Sequence, residues 1–163
     1  MWFRFRGEDL GFRERAPVVH ACEMELSAPR GAVFAAFIDP ISWPSWFPNV
    51  RAARYTGPPP HGVGTIRVAQ VGATRWEERI IAWDEGTCWA WTVTGASVPL
   101  ASAQVESFEF TDAADGTRVR WTLALEPRLL WRIGARAAPR VLSGTLRRAM
   151  SNLETYLQRG TSP

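Results

Sequence analysis

Polar and apolar residues alternate through most of the chain, and alternation of period two predicts strands. Residues 18–27 put His20, Cys22, Met24 and Leu26 on one face, with Glu23 and Glu25 on the other. Six further strands are predicted over 50–56, 63–71, 74–84, 87–94, 103–111 and 117–126. Trp76, Glu78, Ile80 and Ala82 oppose Arg75, Glu77 and Arg79. Val119, Trp121, Leu123 and Leu125 alternate with Arg118, Arg120 and Thr122. Turn signals separate the runs: the Gly/Pro-rich stretch 57–62, Gly72-Ala73, Asp84-Glu85-Gly86 and residues 112–116.

The period changes twice. After the first strand, Ser27 is an N-cap and Pro29 suits a first helical turn, with Val33, Phe34, Phe37 and Ile38 following at helical spacing. A short helix over 29–38 results, stopped by Asp39-Pro40, and the aromatic and proline segment 40–48 suggests a second. Near the C-terminus, Leu142, Leu146, Met150, Leu153 and Leu157 mark a long helix closed by Gly160. Pro139 either opens or kinks it, and 129–136 reads as an earlier helical piece. Residues 1–17 read as a loosely docked arm, with an edge strand at Trp2–Arg6 at best.

Strands joined by short turns pair antiparallel with their neighbours. Their polar face meets water, and only the last helix is long enough to cover the other. The expected fold is therefore α+β: a curved antiparallel seven-stranded sheet wrapped around a long C-terminal helix, with two short helices after strand one. Residues 18–160 form this single domain. A curved sheet closed by a helix leaves a hollow that suits a ligand.

Composition narrows the function. A net charge of +3, spread along 163 residues, does not predict a nucleic-acid partner. All 19 basic residues are arginine. Two cysteines, Cys22 and Cys88, build no disulfide framework, so a reducing, cytoplasmic setting is expected. The charged N-terminus has no apolar signal core, and no apolar run predicts membrane insertion. Motifs for a nucleophilic serine or a nucleotide are absent, and His20, Cys22 and Cys88 lack zinc-ligand spacing, so neither cofactor nor metal is expected. The nine tryptophans could serve a core, an aromatic pocket wall or an interface. A monomer and a homodimer both remain open.

The order of elements resembles the START-like helix-grip superfamily (Bet v 1-like), above all its polyketide cyclase/dehydrase and lipid-transport branch. Met24–Ser27 followed by Ala28-Pro29, the segment Trp43-Pro44-Ser45-Trp46-Phe47-Pro48-Asn49-Val50, and Gly116-Thr117-Arg118-Val119 carry the resemblance. It implies an elongated cavity between sheet and C-terminal helix, holding a lipid, polyketide or aromatic ligand. It also implies strand-connecting loops at the entrance: Gly72-Ala73 and the apolar stretch 95–101, with Gly95, Val98, Pro99 and Leu100 as the gate.

Strand parity then selects inward residues: His20, Trp76, Glu78, Gln104, Glu106, Phe108, Phe110 and Trp121. Trp89 and Trp91 join them, because an exposed tryptophan pair is costly. Leu146 and Met150 are expected to line the cavity from the helix. Trp43 and Trp46 are expected to pin the short helices onto the sheet. Glu78 and Glu106, with His20, are the acid–base candidates if the protein is a cyclase or dehydratase, since burial raises a carboxyl pKa toward neutrality. His61 is expected in solvent. A third reading, a co-chaperone-like interaction module, requires a filled interior.

Overall fold

The computed structural model describes residues 1–160, with side chains except at 130, 132–142 and 160. The expectations placed on the side chains of Pro139 and Leu142 lie outside the described residues. The elements are β1 (Phe3–Arg4), α1 (Phe12–Arg15), β2 (Val18–Leu26), α2 (Arg30–Ile38), α3 (Trp43–Trp46), β3 (Val50–Tyr55) and β4 (Ile66–Val71). There follow β5 (Thr74–Asp84), β6 (Cys88–Ala96), β7 (Ala101–Ala113), β8 (Gly116–Pro127), a 3-10 turn at Leu129–Trp131 and α4 (Arg132–Gly160).

The sheet is antiparallel and runs β2-β8-β7-β6-β5-β4-β3. These are the seven expected strands, and β1 adds an eighth against β6. Register shifts between Val50/Ala52, Glu77/Glu78, Ile80/Ala82 and Ala101/Ala103 bend the strands, as bulges do. One core fills the face toward α2, α3 and α4, built from Val33, Phe37, Trp46, Trp89, Phe108, Leu146, Met150 and Leu153. Phe37 sits among Trp43, Trp46, Phe108 and Phe110 at centroid distances of 4.7–6.0 Å. Such aromatic pairs add roughly 0.5–1.5 kcal/mol each beyond the area they bury.

The turn into β8 needs a glycine. Gly116 has φ +155°, and a Cβ there would run into the Leu26 carbonyl oxygen. Beside it, the Thr117 hydroxyl donates to Ala28 O at 2.7 Å, tying β8 to the start of α2.

The arm is not loose. Pairing of β6 with β7 stops at Thr92↔Val105, and the arm fills the opening beyond. Phe3 and Arg4 pair with Ala96 and Gly95, the Phe5 N–H donates to Thr94 O, and the Arg6 N–H donates to Ser102 O. Phe5 is buried in the main core. Phe12 of α1 packs on Ala103, Val105 and Ala124, which form a second cluster on the outer face. Arg6 bridges Glu8 and Glu126, and Arg13 bridges Glu109. The expectation of a weakly held arm missed this because the alternation at Trp2–Arg6 is too short to weigh, and Phe12, which carries the rest of the docking, belongs to no periodic pattern.

Candidate functional site

Between the sheet and the helices lies a cavity of about 490 Å³. That is within the usual range for small-molecule pockets. Its apolar walls come from Val71 of β4, Trp76 of β5, Trp91 of β6, and Trp121, Leu123 and Leu125 of β8. Trp43, Phe47, Pro48, Asn49 and Val50 line the side of α3, and Leu100, Pro127, Trp131 and Thr145 line the side of the loops and α4.

Besides Asn49, Thr74 and Thr145, four larger polar side chains interrupt this apolar lining: Arg67, Glu78, Gln104 and Glu106. Arg67 stands directly across from Glu78 in the β4–β5 ladder. The Arg67 Nη1 and Glu78 Oε2 are 3.2 Å apart, with side-chain exposures of 2% and 9%. The guanidinium carbon lies 4.1 Å from the Trp43 ring centre, 5.0 Å from Trp91 and 5.3 Å from Trp89. A guanidinium stacked among indoles gains from their electron-rich faces.

The pairing of charge is close but the hydrogen bonding is incomplete. Arg67 Nε and Nη1, Glu78 Oε2, Gln104 Oε1 and the indole nitrogens of Trp89 and Trp91 are buried without a hydrogen-bond partner among the described residues. Arg67 and Glu78 are thus in contact as ions, but not aligned as donor and acceptor. Orphaned buried polar atoms are uncommon in folded proteins, and each costs free energy.

Glu106 has a different setting. Trp121 Nε1 donates to its Oε1 at 2.9 Å. Desolvation, reinforced by the charge of Glu78, pushes the Glu106 carboxyl up to about 8, against the opposing pull of Trp121 and Arg67. Glu106 is therefore mostly protonated at neutral pH. Desolvation also raises Glu78, and the nearby Arg67 opposes it.

The predicted residues fall into three groups. Trp76, Glu78, Trp91, Gln104, Glu106, Trp121 and Leu100 line the cavity. Trp89, Phe108, Leu146 and Met150 are buried in the core and are not part of its lining; Thr145 faces it from α4 instead. His20 is half-buried on β2, directly across from the lining residue Leu123, and is not itself part of the lining.

The gate residues also divide. Gly95 belongs to β6, paired with both Arg4 and Glu77, and a side chain there would collide with the Trp2 indole. It is a covered strand position, not a loop. Val98 packs on the core, and only Leu100 of the loop 97–100 reaches the cavity lining. Pro99 lies in that loop, half-buried and outside the lining. Gly72 makes the β4–β5 turn at φ +57°, and its N–H donates to Asn49 O at 2.7 Å. That bond ties the turn to the segment lining the α3 side. His61 is not free in solvent but half-buried, 4.6 Å from Tyr55.

Sequence reasoning missed Arg67. It shares a face with Ala69 and Val71, both of which line the cavity, but β4 is apolar on both faces, so parity alone does not select that face. Trp43 does two jobs. Its Nε1 donates to Phe37 O at 2.8 Å, pinning α3 to α2, and its ring forms cavity wall over Arg67.

An antiparallel sheet gripping a long C-terminal helix around an apolar cavity defines the helix-grip class, shared by START-like and Bet v 1-like proteins. Residues 21–158 match the polyketide cyclase / dehydrase and lipid transport family, and the chain belongs to it. It is 28% identical over 148 residues to an uncharacterized protein of Mycobacterium tuberculosis, covering 90% of this chain and 89% of that one. Among solved structures it is similar to a START superfamily protein from Mycobacterium smegmatis, at TM-score 0.72 and 13% identity, covering 88% and 99% of the two chains. It is also similar to major latex-like protein 151 from Panax ginseng, at TM-score 0.69 and 16% identity, covering 85% and 95%. At these identities the solved structures establish the fold. Among the described residues no helix is long and apolar enough to cross a membrane, and no His/Cys/Asp/Glu group could hold a metal.

Proposed function

We propose that this protein binds a small, mostly apolar molecule in the cavity between the sheet and α4. The carrying observation is the cavity itself: about 490 Å³, walled chiefly by tryptophan, leucine and valine side chains. A fold that needed only stability would fill such a volume, because voids cost roughly 24 cal/mol per Å³. The family match supports the same reading, since its description includes lipid transport. The interaction-module reading required a filled interior, and the cavity removes its support. Native mass spectrometry of the purified protein, followed by organic extraction, tests the proposal. A co-purifying apolar molecule is expected. A clean apo mass, together with no thermal shift from lipids, polyketides or aromatics, would sink it.

One observation favours a second reading, an acid–base enzyme of the cyclase or dehydratase type. Glu106 opens onto the cavity with its carboxyl pushed up to about 8, where it can give or take a proton near neutral pH. In that reading Glu106→Gln and Glu78→Gln abolish turnover of a polyketide-like substrate while leaving its binding intact. Full activity in both variants would exclude it.

A further inference from the structure

The pocket reading says nothing about the polar groups a ligand must carry, but the orphaned atoms in the lining do. Arg67 and Glu78 lie side by side with a free donor and a free acceptor: Arg67 Nε and Nη1 have no hydrogen-bond partner among the described residues, and neither has Glu78 Oε2. Both side chains are more than nine-tenths buried and both line the cavity. Gln104 Oε1, on the neighbouring wall, is a further free acceptor. Resting on the pocket reading, we infer that the ligand is an apolar molecule bearing a neutral hydroxyl, and that Arg67 and Glu78 receive this hydroxyl.

The three oxygen chemistries a ligand could bring differ in how they meet this pair. A hydroxyl accepts from Arg67 and donates to Glu78 or Gln104, so it satisfies both kinds of orphan at once. A ketone accepts from Arg67 and leaves the acceptors unmet. A carboxylate sets a second anion beside Glu78 on a single guanidinium, in a site with little water, and the like charges repel. A hydrocarbon leaves every orphan as it is. Glu106 offers a charged ligand little, since it is held mostly neutral and its Oε1 is already taken by Trp121; the Trp91 indole N–H adds a donor but no charge. The apolar walls then bury the carbon skeleton.

The test uses the full chain at pH 7 and three ligands with one skeleton: hydroxyphenanthrene, methylphenanthrene and phenanthrene carboxylate, substituted at the same ring position. Affinities are read from quenching of tryptophan fluorescence. The hydroxyl compound is expected to bind roughly tenfold or more tighter than either of the others. The paired substitution R67M/E78M replaces both ions by apolar groups of similar volume, which proteins often tolerate. It should retain methylphenanthrene and lose the preference for the hydroxyl compound.

Equal affinities in the wild type, or a preference for the carboxylate, overturn the inference while the pocket reading stands. Retention of the hydroxyl preference in R67M/E78M also overturns it. If that variant does not fold, the wild-type series decides alone. A wild-type protein that binds none of the three, methylphenanthrene included, overturns the pocket reading with it.

Discussion

Trp121 donates its indole N–H to Glu106 Oε1 at 2.9 Å, linking β8 to a cavity carboxyl pushed up to about 8. The remaining Glu106 oxygen is the one left to carry the carboxyl proton. Two charged groups act on it across the cavity, Glu78 on β5, two strands away, and Arg67 on β4, three strands away. The consequence is a pH-dependent stability with a definite sign. The folded pKa, about 8, lies above the ordinary 4.5, so the folded state holds the proton more tightly than the unfolded chain does. The Glu106 contribution is complete below the ordinary value and is lost as pH rises through the folded one. Stability should therefore fall between those limits, by up to roughly 1.4 kcal/mol per pH unit. Glu78, also raised, adds to the same slope. Glu8 and Glu126 are lowered by hydrogen bonds from Arg6, so their effect lies at lower pH. Urea unfolding at pH 5.5, 7 and 8.5 measures this (about one pH unit and a half apart, wide enough for the slope to exceed error). E106Q should flatten the profile; an unchanged slope in E106Q would assign the effect elsewhere.

The Arg67–Glu78 contact makes a second prediction. Removing one partner leaves the other ion buried beside indoles with no counter-charge, at a cost of about 3–5 kcal/mol. Removing both leaves no uncompensated charge. R67M alone is expected to be strongly destabilised and R67M/E78M to recover most of the loss, as read from urea midpoints in a double-mutant cycle. Additive losses would mean that the two side chains do not sense each other.

Much of this was legible in the chain. The alternation around Trp76–Ala82 survives in β5, and that of Arg118–Trp121 in β8, because one face of the sheet is covered and the other meets water; from Thr122 to Leu125 both faces of β8 are buried, with Phe12 covering Ala124. The site is legible where a strand's parity is unambiguous, as it is for Gln104, Glu106 and Trp121. Arg67 is not, because β4 is apolar on both faces: Ile66 and Val68 on one, Ala69 and Val71 on the other. Only the ladder, which sets Arg67 opposite Glu78, gives its inward position a reason. Gly95 was misread for the opposite cause. A glycine beside a turn signal suggests a loop, yet here it makes room for Trp2 from a segment 90 residues upstream, a contact that local pattern cannot encode.

That distant segment is itself a prediction. Phe5 is buried in the main core and meets Trp76, a cavity wall, edge-on with ring centroids 6.2 Å apart. Phe12 covers Ala103, Val105 and Ala124 on the outer face. Truncating either ring to alanine should cost about 3–5 kcal/mol, the usual figure for a buried phenylalanine. F5A should weaken ligand binding as well, because Trp76 loses its support; F12A, on the other side of the sheet, should destabilise without that effect. Urea midpoints give the first quantity and ligand titration the second. Equal binding losses in the two variants would mean that general loosening, and not the Trp76 wall, is responsible.

Ala69 offers the most direct trial of the cavity. It is buried on β4 directly across from Trp76, and it lines the void. Its neighbour Val68 points to the opposite face, since successive residues of a strand alternate. A phenylalanine at position 69 would grow into empty volume, so A69F is expected to change stability by no more than about 1 kcal/mol, whereas the same enlargement in a packed core typically costs 1–3. Ligand binding should fall at least tenfold, because the new ring occupies the space the ligand needs. V68F serves as the control: it adds a ring to the same strand on the other face and should leave binding unchanged. If A69F destabilises strongly, the volume beside Trp76 is not available to a side chain. If it folds normally and binds as before, ligands use a different part of the molecule.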